Sequence, residues 1–235
     1  MTTPGAVLGV ITRVALVVLA LTALGTGAGL ASTTLDFVSF DGIDYIRWPE
    51  EVGRALTRAD LGPEFGTVQC SIGEDTRGCP YGVDAGAAFL PAGTRLYSVR
   101  GHASEFRLAA VWRDRIFLYQ AWRNPRAKVG TDLYPLRGKV RAIDVQRGQP
   151  APGAPRTPVT IAGARDVQAL VDLLVGSSMQ RPQAHAFGEP RYWVTFWLTD
   201  GTTLERAYFV ETRELMGGVV LPVEFGALLE RHLGD

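Results

Sequence analysis

The side chains best suited to chemistry are few and scattered: three histidines (His102, His185, His232), two cysteines (Cys70, Cys79) and two adjacent acid pairs, Glu50-Glu51 and Glu74-Asp75. No histidine stands at a ligand spacing from another histidine, a cysteine or a carboxylate, so no metal site is expected. Nucleophile-elbow, phosphate-loop, dinucleotide, zinc-protease and EF-hand spacings are absent from the sequence. No catalytic residue and no cofactor is therefore expected. A hydrolytic triad could still assemble in space, because triads are defined by geometry and not by order along the chain. Its parts would be His102 or His185 as base, an aspartate, and one of Ser71, Ser98, Ser104, Ser177 or Ser178. The plainer reading makes His102 and His185 polar loop residues and places His232 at a helix C-terminus, where the macrodipole favours it. Adjacent acids on a strand or turn point apart, which suits solvated surface better than a glycosidase acid and nucleophile.

The stretch Tyr192-Trp193-Val194-Thr195-Phe196-Trp197 offers a binding surface instead. On a strand, Tyr192, Val194, Phe196 and Leu198 share one face, while Trp193, Thr195, Trp197 and Thr199 share the other. If the first face is core, Trp193 and Trp197 form a stripe able to stack on a glycan ring, a peptide or another domain. The competing reading is that the N-terminal half of the chain packs there and buries them. Trp112 and Trp122, near Arg113, Arg115 and Arg123, are the second pair of candidates, although an arginine beside a tryptophan is more often a local cation–π pair.

The address of the chain is legible at its start. Val14 to Leu24 is an uncharged apolar run behind Arg13, of signal-peptide length and short of a bilayer span. Small residues at Gly29 and Ala31 place cleavage after Ala31. Because Gly25 to Ala31 is also uncharged, an uncleaved anchor over residues 6–30 is the alternative, and the membrane would then be met only through that segment. Either way Arg13 keeps the N-terminus inside, and the expected location is extracytoplasmic, secreted or anchored. Cys70 and Cys79 enclose a polar loop with a glycine near each bend, which reads as a structural disulfide in an oxidising compartment. Lys plus Arg number 24 and Asp plus Glu 24, so no diffuse attraction to nucleic acid is expected.

Those side chains must be held by a β-rich scaffold. Asp41-Gly42 and Asp200-Gly201 predict two-residue hairpin turns. Strands are predicted at 37–40, 43–47, 95–100, 106–112, 116–122, 139–145, 159–161, 192–198, 203–210 and 214–221, with a short helical turn near Glu50 to Leu56. Val167, Leu170, Val171 and Leu174 predict an amphipathic helix over 164–175, and Pro222 opens a closing helix. The proline-rich stretch 148–158 is read as a loop. The expected class is α+β with mostly antiparallel sheets: a leader over 1–31, a β-rich unit with the disulfide loop over 32–137, and a unit over 138–235 with two helices on one sheet face.

Lys139-Val-Arg-Ala-Ile-Asp-Val145, Val159-Thr-Ile161, the helix with Asp166-Val167, the strand from Tyr192 to Thr202 and the closing helix together resemble YhfM-like extracytoplasmic domains of bacterial secreted proteins and lipoproteins. The likeness covers roughly the last hundred residues. It is a pattern of strands and a turn, and it implies neither an activity nor functional residues. Phe89 to Gly101 is similarly like a recurring segment of uncharacterised bacterial surface proteins. The leading functional expectation is a non-enzymatic binding or interaction module at the cell surface, its partner a surface protein, a peptide or a glycan. The alternatives are a secreted hydrolase with a site assembled from scattered residues, and a membrane-tethered accessory or sensor domain.

Overall fold

In the computed structural model, the structure describes residues 35–48, 52–73, 79–80, 82–148, 157–185 and 189–234. The leader and both acid pairs lie outside the described residues, as does most of the proline-rich stretch. Residues 34–235 form one compact unit. The class is α+β, dominated by two largely antiparallel sheets with few helices.

The first sheet uses β1 (Asp36–Phe40), β2 (Ile43–Arg47), β3 (Leu61–Thr67), β4 (Cys70–Ser71), β5 (Gly86–Ala87), β6 (Arg95–Val99), β7 (Arg107–Trp112) and β8 (Arg115–Arg123). Its order is β3-β6-β7-β8-β2-β1-β5-β4, antiparallel except for β4 beside β5. The β1–β2 turn takes φ of 52° at Asp41 and 70° at Gly42, the conformation that the Asp-Gly pair predicts. The sheet curls: Phe65 of β3 and Phe40 of β1, five places apart in the strand order, bring their rings to 5.2 Å. Gly66 permits this closure, because a side chain there would run into the Phe40 ring. The same glycine, with Gly62 and Pro63, hides β3 from pattern reading, since breakers inside a run argue against a strand.

The second sheet uses β9 (Val140–Arg147), β10 (Val159–Ile161), β11 (Arg191–Leu198), β12 (Thr203–Phe209), β13 (Glu214–Leu215) and β14 (Val219–Val220), in the order β10-β9-β11-β12-β13-β14. The strand expected over 214–221 is two short ones. Gly217 and Gly218, at φ of 109° and 94°, reverse the chain between them. The helices are α1 (Gly130–Leu133), α2 (Ala164–Gly176) and α3 (Val223–Leu233). No helix appears over the described residues 52–56; a 3₁₀ turn forms instead at Arg58–Asp60, where the Asp60 carboxylate accepts from Thr57 N at 2.7 Å.

One hydrophobic cluster runs through both sheets and the helices, from Val38, Tyr45 and Leu108 to Ile143, Val194 and Phe196 and on to Leu170, Leu174 and Phe225. The four residues that predict α2 are buried and, with Val175, form its core-facing stripe. Two fully buried arginines join the sheets. Arg107 of β7 donates to Thr202 Oγ1 at 2.6 Å and Thr203 O at 2.7 Å, and Arg206 of β12 donates to Ala121 O at 2.7 Å and Tyr134 Oη at 2.9 Å.

Cys70 and Cys79 form a disulfide, with Cα atoms 5.7 Å apart, that ties edge strand β4 to the segment leading into β5. Closing a loop of this length restricts the unfolded chain by about 2–3 kcal/mol in the chain-entropy description. Replacing both cysteines by serine is expected to lower stability by that amount in urea titration, with native far-UV circular dichroism kept.

Candidate functional site

Alternation along β11 divides its side chains as the sequence predicts. Val194, Phe196 and Leu198 are fully buried in the core, and Trp193, Thr195 and Trp197 face outward. Cross-strand register sets these three into rows. Trp193 stands between Gln146 and Ala207, Thr195 between Asp144 and Glu205, and Trp197 between Ala142 and Thr203, while Thr160 of β10 extends the middle row beyond Asp144.

The two halves of this outer face differ. Over β12, Trp48 meets Trp193 edge-on, with ring centroids 5.4 Å apart, and its Nε1 donates to Glu205 O at 3.2 Å. Thr203 Oγ1 donates to Val52 O at 2.5 Å. Thr195 and Glu205 are buried as a result, and the gap left among Trp48, Val52, Gln120, Thr203 and Glu205 is about 30 Å³, too small for a ligand larger than water. Over β9 and β10 the face is open. Thr160 and Arg141 are exposed, and Asp144, Gln146 and Trp197 are half-buried.

Asp144 is the centre of the open half. Its carboxylate accepts from Thr160 Oγ1 at 2.6 Å and from Trp197 Nε1 at 2.7 Å, and the Arg141 guanidinium lies 5.3 Å from the centroid of the Trp197 ring. These bonds fix the indole and the carboxylate in position before any ligand arrives. An ionised carboxylate has about four lone-pair sites, so two remain for an incoming N–H or O–H donor. Side by side, a held indole, a carboxylate, a hydroxyl and a cation can receive a ligand that presents both apolar surface and hydrogen-bond donors.

The other candidates do not join this group. Trp122 packs against the buried cluster of Phe37, Ile46 and Ala88, and its buried Nε1 has no partner among the described residues; the same holds for Trp193 Nε1. Trp112 sits elsewhere, beside Phe117 at 6.3 Å, with the Arg113 guanidinium 4.4 Å over its ring. Trp48, Asp144, Thr160 and Glu205 complete the surroundings of Trp193 and Trp197 and escape the sequence reading. The available signal was Asp144, an acid set between the apolar Ile143 and Val145.

His102 lies in the loop between β6 and β7, as the plainer reading has it, but it is closed off from solvent. Its side chain is 5% exposed and its Nε2 lies 2.8 Å from Asp200 Oδ2. Asp200 Oδ1 in turn accepts from Thr202 Oγ1 at 2.7 Å, so a histidine, a carboxylate and a hydroxyl do converge. Their order is wrong for nucleophile activation: the carboxylate bridges, and Nδ1, where a nucleophilic hydroxyl would have to bond, is buried without a partner among the described residues. Burial and the nearby Arg107 charge push the His102 pKa down. For Asp200, burial alone would raise the pKa, but hydrogen bonds from His102 and Thr202 and the Arg107 charge bring it down to about 2. His185 stacks on Phe209 with centroids 3.4 Å apart; its Nδ1 lies 3.0 Å from Glu189 and its Nε2 3.5 Å from Glu214. His232 Nε2 lies 2.9 Å from Asp166, so it ties α3 to the first turn of α2. Among the described residues, none of the five serines bonds a histidine: Ser98 donates to Pro63 O, Ser104 to Glu105 and Ser177 to Leu173 O.

No known protein family, curated protein or solved structure matches the chain.

Proposed function

We propose that this chain is an extracytoplasmic, non-enzymatic binding module that receives a partner on the open half of the second sheet, around Asp144, Thr160, Trp197 and Arg141. The observation that carries the reading is the half-buried indole of Trp197, held by Asp144 on a part of the sheet that no described element covers. Half-buried aromatic rings with fixed polar neighbours are the usual anchors of binding surfaces, because little side-chain entropy is lost when a ligand lands. The arrangement of His102 and His185 supports binding over hydrolysis. The disulfide and the apolar leader sequence support a location outside the cytoplasm, secreted or anchored. α2 and α3 are read as lying together on the core face of the second sheet, which leaves the opposite face for the partner. The likeness of residues 139–235 to YhfM-like domains belongs to the same proposal.

An extended peptide and a β-linked oligosaccharide both fit the chemistry, and panels of each, titrated against the full chain, discriminate between them. The readout is the indole N–H resonance of each of the five tryptophans. Trp197 is expected to shift with ligand while Trp112 stays in place. No response of Trp197 to either panel, or a response at Trp112 instead, counts against the assignment.

A further inference from the structure

One end of the curled sheet carries features that the proposed partner site does not use. Antiparallel order puts the starts of β1, β6 and β8 at this end, together with the ends of β2, β5 and β7 and of the short parallel edge strand β4. Chain neighbours of those strand ends meet there. Phe89 and Ile72 are exposed at 47% and 40%, two of only five large apolar side chains so exposed among the described residues. Gly73 N donates to Ala88 O, which keeps the two stretches side by side. Across the same end lies the β7–β8 turn, Arg113-Asp114, flanked by Trp112, Arg115 and Phe117. Arg113 lies over Trp112, and Arg47 and Arg115 both lie over Phe117, at 4.9 and 5.0 Å. Arg47, Arg58 and Arg95 have carboxylate partners in Asp36, Asp114 and Glu64. Arg113 and Arg115 have none among the described residues. Among the described residues of this end, the positive charge without a carboxylate partner is concentrated at the β7–β8 turn.

We propose that this end of the protein seats on an anionic lipid bilayer, with Phe89 and Ile72 entering the headgroup layer and Arg113 and Arg115 meeting lipid phosphates. Exposed aromatic and aliphatic side chains on the same sheet end as arginines without carboxylate partners are the composition that partitions to a membrane interface. The occupant follows from the chain itself. Leu35 opens the described structure at this same end, and the apolar run closing at Leu24 lies 11 residues before it. That connection spans at most about 40 Å when fully extended. Where the leader is retained as an anchor over residues 6–30, it presents this end to the bilayer at high effective concentration, and weak contacts suffice.

The test uses the full chain reconstituted in phosphatidylcholine vesicles with or without phosphatidylglycerol. A dye is placed at Ala92→Cys, in the exposed turn between Phe89 and β6, or at Arg165→Cys on the outward side of α2. Spin-labelled lipid is expected to quench the dye at position 92 in anionic vesicles, and not the dye at position 165. Arg113→Gln with Arg115→Gln is expected to lower the ratio of seated to unseated molecules roughly thirtyfold. Ile72→Ser with Phe89→Ser is expected to lower it as well, and an unchanged thermal midpoint shows that these exposed positions leave the fold intact. Equal quenching at the two positions, no quenching at position 92, or quenching indifferent to both double variants overturns the proposal. An unquenched dye at position 92 that responds to an acidic peptide also overturns it, and assigns this end to a protein partner.

Discussion

Arg206→Ala is expected to destabilise the protein by about 3–5 kcal/mol, measured as a lower urea midpoint with an unchanged denaturant slope. Arg206 is fully buried on β12, and its guanidinium donates to Tyr134 Oη, Glu205 O and Ala121 O, so one side chain closes bonds from three segments. No carboxylate pairs with it among the described residues. Its charge is stabilised by carbonyl and hydroxyl dipoles and by the Tyr134 ring, 5.3 Å away. Truncation removes charged hydrogen bonds, takes the Arg206 donor from the Ala121 carbonyl, and opens a cavity between the sheets. A double-mutant cycle with Tyr134→Phe should give a coupling well above the additive error, since the two side chains share a bond. A loss below 1 kcal/mol would mean that Arg206 contributes little to holding the sheets together.

Asp200→Ala is expected to cost about 3 kcal/mol near neutral pH and to flatten the acid side of the stability profile. The carboxylate bonds His102 and Thr202, lies 4.0 Å from the buried Arg107 guanidinium, and fixes the β11–β12 turn, whose carbonyl groups accept from Arg54. Both titrating groups are shifted downward by folding, His102 by burial and the Arg107 charge, and Asp200 to about 2 by its donors. The unfolded chain then binds more protons than the folded one, and stability rises with pH. The His102 contribution is complete above about pH 6.5, its ordinary value, and is lost as pH falls below it. The Asp200 contribution is complete above roughly pH 4 and is lost towards pH 2. With Asp200 about one-third exposed, its share is on the order of 1–2 kcal/mol after screening. Arg107 stays charged throughout, although burial lowers its pKa to about 9. Chemical denaturation at stepped pH checks this; a wild-type profile flat from pH 7 to pH 3 would contradict it.

Local physics made much of this readable from residue order. The Asp41-Gly42 turn, the α2 stripe and the alternation of β11 are dictated by neighbours within a few positions and appear where the pattern puts them, whereas the hairpin at Asp200-Gly201 closes through a longer loop in which Leu198 N donates to Thr202 O. β3 escaped because Gly62, Pro63 and Gly66 are tolerated on an edge strand, and Gly66 is required for closure against Phe40, a reason that exists only once the sheet curls. Trp193 and Trp197 were recognisable as sharing a face, but not that Trp48 would cover one and leave the other beside Asp144. Those contacts span more than fifty residues, and no periodicity encodes them. The same holds for Arg107 and Arg206. An arginine within a strand reads as solvated until another sheet arrives to surround it.

Affinity for whichever peptide or oligosaccharide moves the Trp197 indole, compared between wild type and the single variants Trp197→Ala and Asp144→Asn, tests the binding face most directly. Each variant is expected to weaken binding by tenfold or more, about 1.4 kcal/mol, while Trp112→Ala leaves it unchanged. Equal affinity for all four proteins would place the partner elsewhere and remove the ground for this functional assignment.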